Sequence, residues 1–175
     1  MIRVKTRIIG IDPGSRITGY GIIDTDGHQH ALIEAGCIRM PAEVFSSRIK
    51  YLFDEISSIC VQHRPECAAV EQVFYARNVR SALQLGQTRG VILLGLLNHG
   101  CQIHEYTALQ VKNAITGYGR AEKSQLKRMV EVLMGTQFQN EKYDLTDALG
   151  LAITHAHITG FQNRLVNPAA PASQS

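Results

Sequence analysis

RIIGIDPGSRITGYGIID, residues 7–24, is the stretch that decides the fold. Its first part, Arg7–Asp12, is rich in β-branched isoleucine and is followed by a Pro-Gly pair, which predicts a short buried strand. Thr18–Asp24 is predicted as a second strand, and Gly19 and Gly21 within it would let another group approach closely. The connection between the two strands is too short for a crossover, so they are expected to pair antiparallel.

The rest of the chain predicts a third strand and then alternating helices and strands. Asp26-Gly27 is a hairpin signal, and Gln29–Met40 after it is expected to complete a three-stranded antiparallel meander. Beyond Pro41, apolar residues at helical spacing alternate with short apolar runs. Strands are predicted at Cys67–Val73 and Gln102–Tyr106, and helices at about 45–64, 79–98, 110–118, 126–134 and 145–156. The predicted fold class is therefore α/β: a five-stranded mixed sheet, with three antiparallel and then two parallel strands and helices on both faces.

Length and charge restrict the number of domains and the classes of function that the chain can have. The 175 residues suit one domain, predicted over residues 1–160, and the segment 161–175 is expected to be a disordered tail. The net charge of +3 is compatible with nucleic-acid binding but is not evidence for it. A DNA-binding surface would therefore require basic residues clustered on one part of the protein. The apolar runs are too short for a signal peptide or for a membrane span of about 20 residues, so a cytoplasmic protein without a membrane partner is expected.

Cysteine and histidine spacing gives no sign of a soft-metal site. The four cysteines are Cys37, Cys60, Cys67 and Cys101. They show no zinc-finger spacing and are interpreted as isolated thiols in a reducing cytosol. His155 and His157 are two residues apart on a predicted helix, so they face away from each other and cannot chelate one ion.

Four acidic residues lie in apolar segments. Asp12 ends the strand IIGI, Glu71 follows CAAV, and Asp144 and Asp147 open the apolar helix DLTDALGLAI. A carboxylate at the end of a buried strand is unfavourable unless something stabilises its charge. Four such acids in three separate segments predict a shared cation, and all-oxygen ligation favours a hard ion, Mg²⁺ or Mn²⁺.

Helix geometry supports the convergence of two of these acids. Asp144 and Asp147 are about 60° apart around the helix and one turn along it, so both can point at one place. Two ions held there would clamp a scissile phosphate and leave a 5′-phosphate and a 3′-hydroxyl. Each acid alone also has a structural explanation: a helix cap for Asp144 or Asp147, an ion pair for Glu71 and a turn for Asp12.

Four segments resemble the motifs of RuvC-type Holliday junction resolvases. They are GIDPGSRITGYGII (Gly10–Ile23), AVEQVFYARNVRSALQLGQTRG (Ala69–Gly90), QVKNAITGYGRAEKSQ (Gln110–Gln125) and DLTDALGLAITH (Asp144–His155). They occur in the family's order, and the resemblance covers residues 7–158. It implies an RNase H-like fold and a Mg²⁺-dependent homodimer that nicks two like-polarity strands of a four-way junction in recombination and repair. It also implies cooperation with the RuvA–RuvB branch-migration complex.

The resemblance further implies roles for individual residues. The metal-binding acids of the family are matched by Asp12, Glu71, Asp144 and Asp147. Lys112 and Lys123 match positions that support catalysis and DNA binding, and Phe74 matches a position that contacts junction bases. The remaining candidates for phosphate contacts are all basic: Arg77, Arg80, Arg89, Arg120, Lys127 and Arg128. Taken singly, the charges of Lys112, Lys123 and Arg120 are better explained as solvated surface groups. Arg80 and Arg89 could equally be surface charges of their helix, and Phe74 alone is better explained as a core residue.

Other functions remain open from the sequence. The early Asp-and-glycine motif also occurs in YqgF-type RNA-processing nucleases and in actin-like ATPases. The EQVF and DLTDAL stretches fit the RuvC type better, and 175 residues are too few for the two-domain ATPase fold. A non-catalytic junction-binding module would not need the complete acid set. The apolar helix Val79–Asn98 is explained equally well by a dimer interface and by burial within one subunit.

Overall fold

The computed structural model describes residues 5–41, 43–72, 78–138 and 143–166, with side chains described as far as residue 160. Five strands form one sheet: β1 (Thr6–Asp12), β2 (Ile17–Thr25), β3 (His30–Arg39), β4 (Cys67–Glu71) and β5 (Gln102–Tyr106). Their spatial order is β3-β2-β1-β4-β5. β1 pairs antiparallel with β2, and β2 with β3, whereas β4 lies parallel to β1 and β5 parallel to β4. The predicted mixed sheet is confirmed.

Helices cover both faces of this sheet, as predicted. They are α1 (Phe45–His63), α2 (Val79–Asn98), α3 (Ala108–Thr116), α4 (Lys123–Met134) and α5 (Tyr143–Val166). Side chains of α1 and α2, such as Leu52 and Ile92, pack with Ile9 on one face. On the other face α3, α4 and α5 pack over Ile8. Two cores result because successive strand residues point to opposite faces. None of the described helices is long and apolar enough to cross a membrane.

Helix α5 crosses the sheet in close contact with two glycines. A Cβ atom built on Gly10 would lie 1.9 Å from the carbonyl oxygen of Ala148, and one on Gly19 would lie 2.1 Å from the carbonyl oxygen of Asp144. Either contact would be a steric clash, so glycine is the residue that permits this approach. The group that the β2 glycines were expected to admit is therefore α5.

Several boundaries of the central elements differ from the sequence prediction. β4 ends at Glu71, and Val73, its predicted end, lies outside the described residues. α3 begins at Ala108 rather than Gln110, because the Thr107 hydroxyl accepts from the Gln110 N–H while the Gln110 side chain accepts from the Thr107 N–H. α3 ends at Thr116 because Gly117 adopts a left-handed φ of 72°.

The last helix extends beyond the predicted end of the domain. The tail was expected to start at residue 161, but α5 continues to Val166. The segment FQNRLV contains neither Gly nor Pro, and the first helix-breaking residue is Pro168, which disfavours helical backbone at Asn167. The predicted start of the tail is therefore too early, and residues 167–175 lie outside the described part of the chain.

Candidate active site

Two of the predicted acids end neighbouring parallel strands. Asp12 is the last residue of β1 and Glu71 is the last residue of β4. The register pairs Ile11 with Val70, so Asp12 and Glu71, the next residue of each strand, lie side by side where the two strands end. Both are half-buried, and a hydrogen bond joins their side chains.

The other two acids reach the same place from α5. Asp144 lies in the first turn of α5, and Asp147 follows about one turn later. Gly19 pairs with Asp12 across the β1–β2 ladder, and its missing side chain admits the backbone of Asp144 at that point. Both α5 carboxylates are close enough to Asp12 to raise its pKa. The structure thus brings together the carboxylate cluster: Asp12, Glu71, Asp144 and Asp147.

The electrostatics of the carboxylate cluster favour a bound cation. Burial, together with the hydrogen bond to Glu71 and its negative charge, raises the pKa of Asp12 to about 9. The charges of Asp147 and Asp144 act in the same direction. In the protein alone the ionised form of Asp12 is therefore disfavoured, whereas a divalent cation would stabilise the ionised form of all four acids.

Both predicted lysines border the cluster. Lys123, the first residue of α4, donates a hydrogen bond to Asp147, with 2.8 Å between Nζ and Oδ2. Lys112 of α3 lines a cavity of about 160 Å³ together with Lys123, Asp12, Glu71 and Asp147. The Lys123 side chain remains 62% exposed, so its ion pair contributes little to stability. It does hold an ammonium group beside the acids.

The donor set of the cavity fits a hard divalent cation. Carboxylate oxygens supply the anionic donors, and neither His nor Cys occurs among the described residues that line the cavity. Mg²⁺ and Mn²⁺ prefer oxygen ligands, whereas softer ions favour thiolate and imidazole. The donor atoms of the cavity therefore suit Mg²⁺ or Mn²⁺ better than a softer ion.

Two further predicted site residues, Arg80 and Arg120, are not among the described residues that line the cavity. Arg80, in the first turn of α2, and Arg120, in the loop before α4, are both exposed to solvent. Phe74 and Arg77 lie outside the described residues, so their roles stay predictions. The exposed arginines are therefore available to a large anionic ligand that extends beyond the carboxylate cluster.

Arg89 contacts the backbone of a cluster residue, a role that was not predicted from the sequence. Its Nε donates a hydrogen bond to the backbone carbonyl of Glu71 at 3.4 Å, and its guanidinium forms an ion pair with Glu105 on β5. Arg89 thereby connects α2 to the ends of both parallel strands. No local sequence pattern indicates this role, because both partners lie on other elements.

Comparison with known proteins identifies the family. The family model described as "Crossover junction endodeoxyribonuclease RuvC" matches residues 8–155. The crossover junction endodeoxyribonuclease RuvC of Burkholderia ambifaria is 48% identical over 151 residues, which cover 86% of this chain and 82% of the relative. The protein of the same name from Cronobacter sakazakii is 46% identical over 152 residues, which cover 87% of each chain.

A solved structure agrees with these sequence matches. Thermus thermophilus RuvC in complex with a Holliday junction substrate superposes with a TM-score of 0.84 at 27% sequence identity. The match covers 90% of this chain and 96% of that one. The residues matched by the family model, 8–155, include every member of the carboxylate cluster and both lysines. The chain therefore belongs to the RuvC family of crossover junction endodeoxyribonucleases.

Proposed function

We propose that this chain is a structure-selective endodeoxyribonuclease that resolves four-way DNA junctions by paired nicking of two like-polarity strands. The carboxylate cluster, assembled from β1, β4 and α5 in a member of this nuclease family, carries the proposal. The Thermus relative, solved with a Holliday junction substrate, supports the same substrate class. The enzyme would act in the cytoplasm, in recombination and repair, together with a RuvA–RuvB branch-migration complex.

The carboxylate cluster would hold two Mg²⁺ ions, with Mn²⁺ as a possible substitute. When bound, such ions supply a water of lowered pKa and stabilise charge on the departing 3′ oxygen. Asp12 is half-buried among like charges, so it has the strongest electrostatic reason to bind a cation. Asp144 and Asp147 would bind from α5, whose close approach to the sheet at Gly19 sets their position relative to Asp12.

The lysines would assist the reaction from the wall of the same cavity. Hydrolysis forms a bond between the water oxygen and phosphorus and breaks the bond to the 3′ oxygen, leaving a 5′-phosphate and a 3′-hydroxyl. Negative charge increases on the phosphate oxygens during this step, and Lys112 and Lys123 are placed to offset it. Lys123, now paired with Asp147, would turn toward the phosphate when cations neutralise the cluster.

Basic residues around the cluster would form the DNA footprint. Arg80 and Arg120 are exposed and would contact phosphates, which positions the junction without reading its sequence. Arg77 is assigned the same role from the sequence. Phe74 follows the end of β4 closely in sequence, and we assign it to stacking on an unpaired base at the crossover.

A homodimer would supply the two active sites that paired nicking needs. The helix α2 buries Ile92 and Leu96 in the core of its own subunit. Its outer side carries an apolar stripe of exposed residues: Val79, Leu83, Leu94 and Leu97. These four residues fall within about 60° of one another around the helix. We assign the α2 stripe to the subunit interface, because a two-fold dimer matches the two-fold symmetry of the junction.

The decisive experiment incubates a synthetic four-way DNA junction with the protein, with and without Mg²⁺, and maps the nicks. We expect symmetric nicks in two like-polarity strands that depend on the metal. Asp12→Asn should reduce the nicking rate by at least about 1000-fold, because it removes a metal ligand, while the variant still binds the junction.

Asp54→Asn is the matched control, because Asp54 is an exposed carboxylate on α1, away from the cluster. It should nick at the wild-type rate. An RNA precursor serves as the competing substrate, and faster cleavage of RNA than of the junction would contradict the proposed substrate. Wild-type nicking by Asp12→Asn would contradict the proposed site.

A further inference from the structure

A second group of side chains of the kinds that bind metal ions lies between α5 and the sheet, on the face that carries the carboxylate cluster. Cys67 begins β4, and His104 lies on β5 opposite Ala69, so the thiol and the imidazole point to the same face. His155 projects from α5 onto that face. The potential ligand atoms of Cys67, His104 and His155 all lie within 4.8 Å of one another.

The surroundings of His155 orient its ring as in many metal sites. Its Nδ1 is 2.7 Å from the hydroxyl of Tyr106, and both residues are buried. The tautomer that donates Nδ1–H to Tyr106 leaves the Nε2 lone pair available to a metal, which is the usual arrangement of a ligating histidine.

We propose that Cys67, His104 and His155 form a Zn²⁺ site that is separate from the carboxylate cluster. One thiolate and two imidazoles match the donors of zinc, whereas Mg²⁺ prefers oxygen. His155 follows Asp147 by eight residues on α5, a distance of about 12 Å along the helix, so the two sites do not share a ligand. Cys67 and His104 are half-buried, which leaves access for a water molecule as fourth ligand.

Binding needs only a local rearrangement. The rings of His104 and His155 are stacked, with centroids 4.0 Å apart and planes inclined by 29°. Ligand atoms on a tetrahedral zinc ion are about 3.4–3.7 Å apart, and the three atoms here lie within 4.8 Å of one another, so they need to close by no more than about 1.4 Å. The half-exposed His104 ring is the freest of the three to turn. The Cys67 S–H bond breaks, a Zn–S bond forms and the proton passes to the solvent.

A bound ion would join β5 to two elements that carry active-site residues, β4 and α5. β4 ends at Glu71, α5 bears Asp144 and Asp147, and β5 pairs with β4. Zinc would thus connect α5 to the sheet by coordination, in addition to the apolar core between them. The expected consequence is a more stable protein, because a ligand that binds the folded state alone raises its unfolding temperature.

The test is titration of the metal-free, full-length protein with Zn²⁺ and, as a spectroscopic probe, Co²⁺, with excess Mg²⁺ present to occupy the carboxylates. We expect one high-affinity equivalent, a thiolate-to-cobalt charge-transfer band and a rise in Tm of a few degrees. Cys67→Ser should abolish the band and weaken Zn²⁺ binding by about 100-fold. His104→Ala should weaken binding similarly, and it covers the case in which Cys67→Ser does not fold.

Cys37→Ser is the matched control, because Cys37 is another half-buried thiol on the same sheet. It should keep the charge-transfer band and the zinc affinity. Mg²⁺-dependent nicking should persist in Cys67→Ser, which separates this site from the proposed catalytic one. Absence of the band in the wild type, or its loss in Cys37→Ser with retention in Cys67→Ser, would overturn the assignment.

Discussion

The pKa values of two aspartates on neighbouring strands shift in opposite directions because the two side chains have different surroundings. Asp24 of β2 accepts two hydrogen bonds from the Arg7 guanidinium, with 2.7 Å from Nε to Oδ1 and 2.8 Å from Nη2 to Oδ2. Arg7 also donates to the carbonyl of His63 at 2.9 Å. The hydrogen bonds from Arg7 hold the pKa of Asp24 below its ordinary value. Asp12 is instead half-buried beside other carboxylates, and its pKa is raised by that burial and by their negative charges.

The Arg7–Asp24 pair should make part of the folding stability depend on pH. A carboxylate whose pKa is lowered by folding contributes stability above its unfolded pKa of about 3.9, and this contribution disappears as the pH falls through the folded value. Because Arg7 remains 34% exposed, we expect Asp24→Asn to lower the free energy of unfolding by only about 1–2 kcal/mol near neutral pH.

Urea unfolding of the wild type and Asp24→Asn from neutral pH to below about pH 4 would measure this effect. The difference between the two proteins should shrink on acidification, because protonation of Asp24 removes the same charge as the substitution. Asp54→Asn disrupts an exposed ion pair with Lys50 and should change stability by about 0.5 kcal/mol or less. A pH-independent deficit in Asp24→Asn would contradict the electrostatic explanation.

At the scale of elements, the distance between α5 and the sheet controls the carboxylate cluster. Gly19→Ala should place a methyl group against the backbone of Asp144, where the Cβ would be 2.1 Å from the carbonyl oxygen. The first turn of α5 must then move away from Asp12. We expect a loss of about 1–3 kcal/mol in stability and of about 100-fold in the nicking rate, because catalytic geometry tolerates little displacement.

Gly150→Ala is the control on the same helix. Its Cβ would lie 3.3 Å from a methyl group of Val111, which can yield, and alanine favours helix more than glycine does. Thermal unfolding and nicking assays should therefore show a change of less than about 1 kcal/mol and near-normal activity. Equal damage from both substitutions would show that α5 tolerates no added methyl group, and would refute a specific role for Gly19.

The sequence could predict the elements and the family of this chain better than the contacts between elements. Alternating and helical periodicity depends on local residues, so the strands, the helices and the order of the sheet were predictable. The glycines of β2 indicated a close approach, but not that α5 makes it. The roles of Arg89 and of the Cys67–His104–His155 group depend on partners brought together by strand register and helix packing, which periodicity does not encode.

The whole molecule raises the question of how two coordinated nicks arise. One subunit builds one carboxylate cluster, and a four-way junction needs two incisions, so the activity proposed here requires a second copy. The α2 stripe lies on the sheet face opposite α3, α4 and α5, which carry the lysines of the cavity and two of the acids. A dimer formed through α2 would therefore leave α3, α4 and α5 of both subunits accessible to DNA.

Leu94→Glu should convert the proposed dimer to a monomer. Leu94 is 53% exposed within one subunit, so a glutamate there is solvated in the monomer but would bury a charge in an interface through the α2 stripe. Sedimentation equilibrium should show a dimer for the wild type and a dissociation constant raised by at least about 100-fold for the variant. Val132→Glu, at a 66% exposed position on α4, is the matched control and should remain dimeric. On a junction, Leu94→Glu should give single, uncoordinated nicks, and a dimeric Leu94→Glu protein that still cuts in pairs would exclude α2 as the interface.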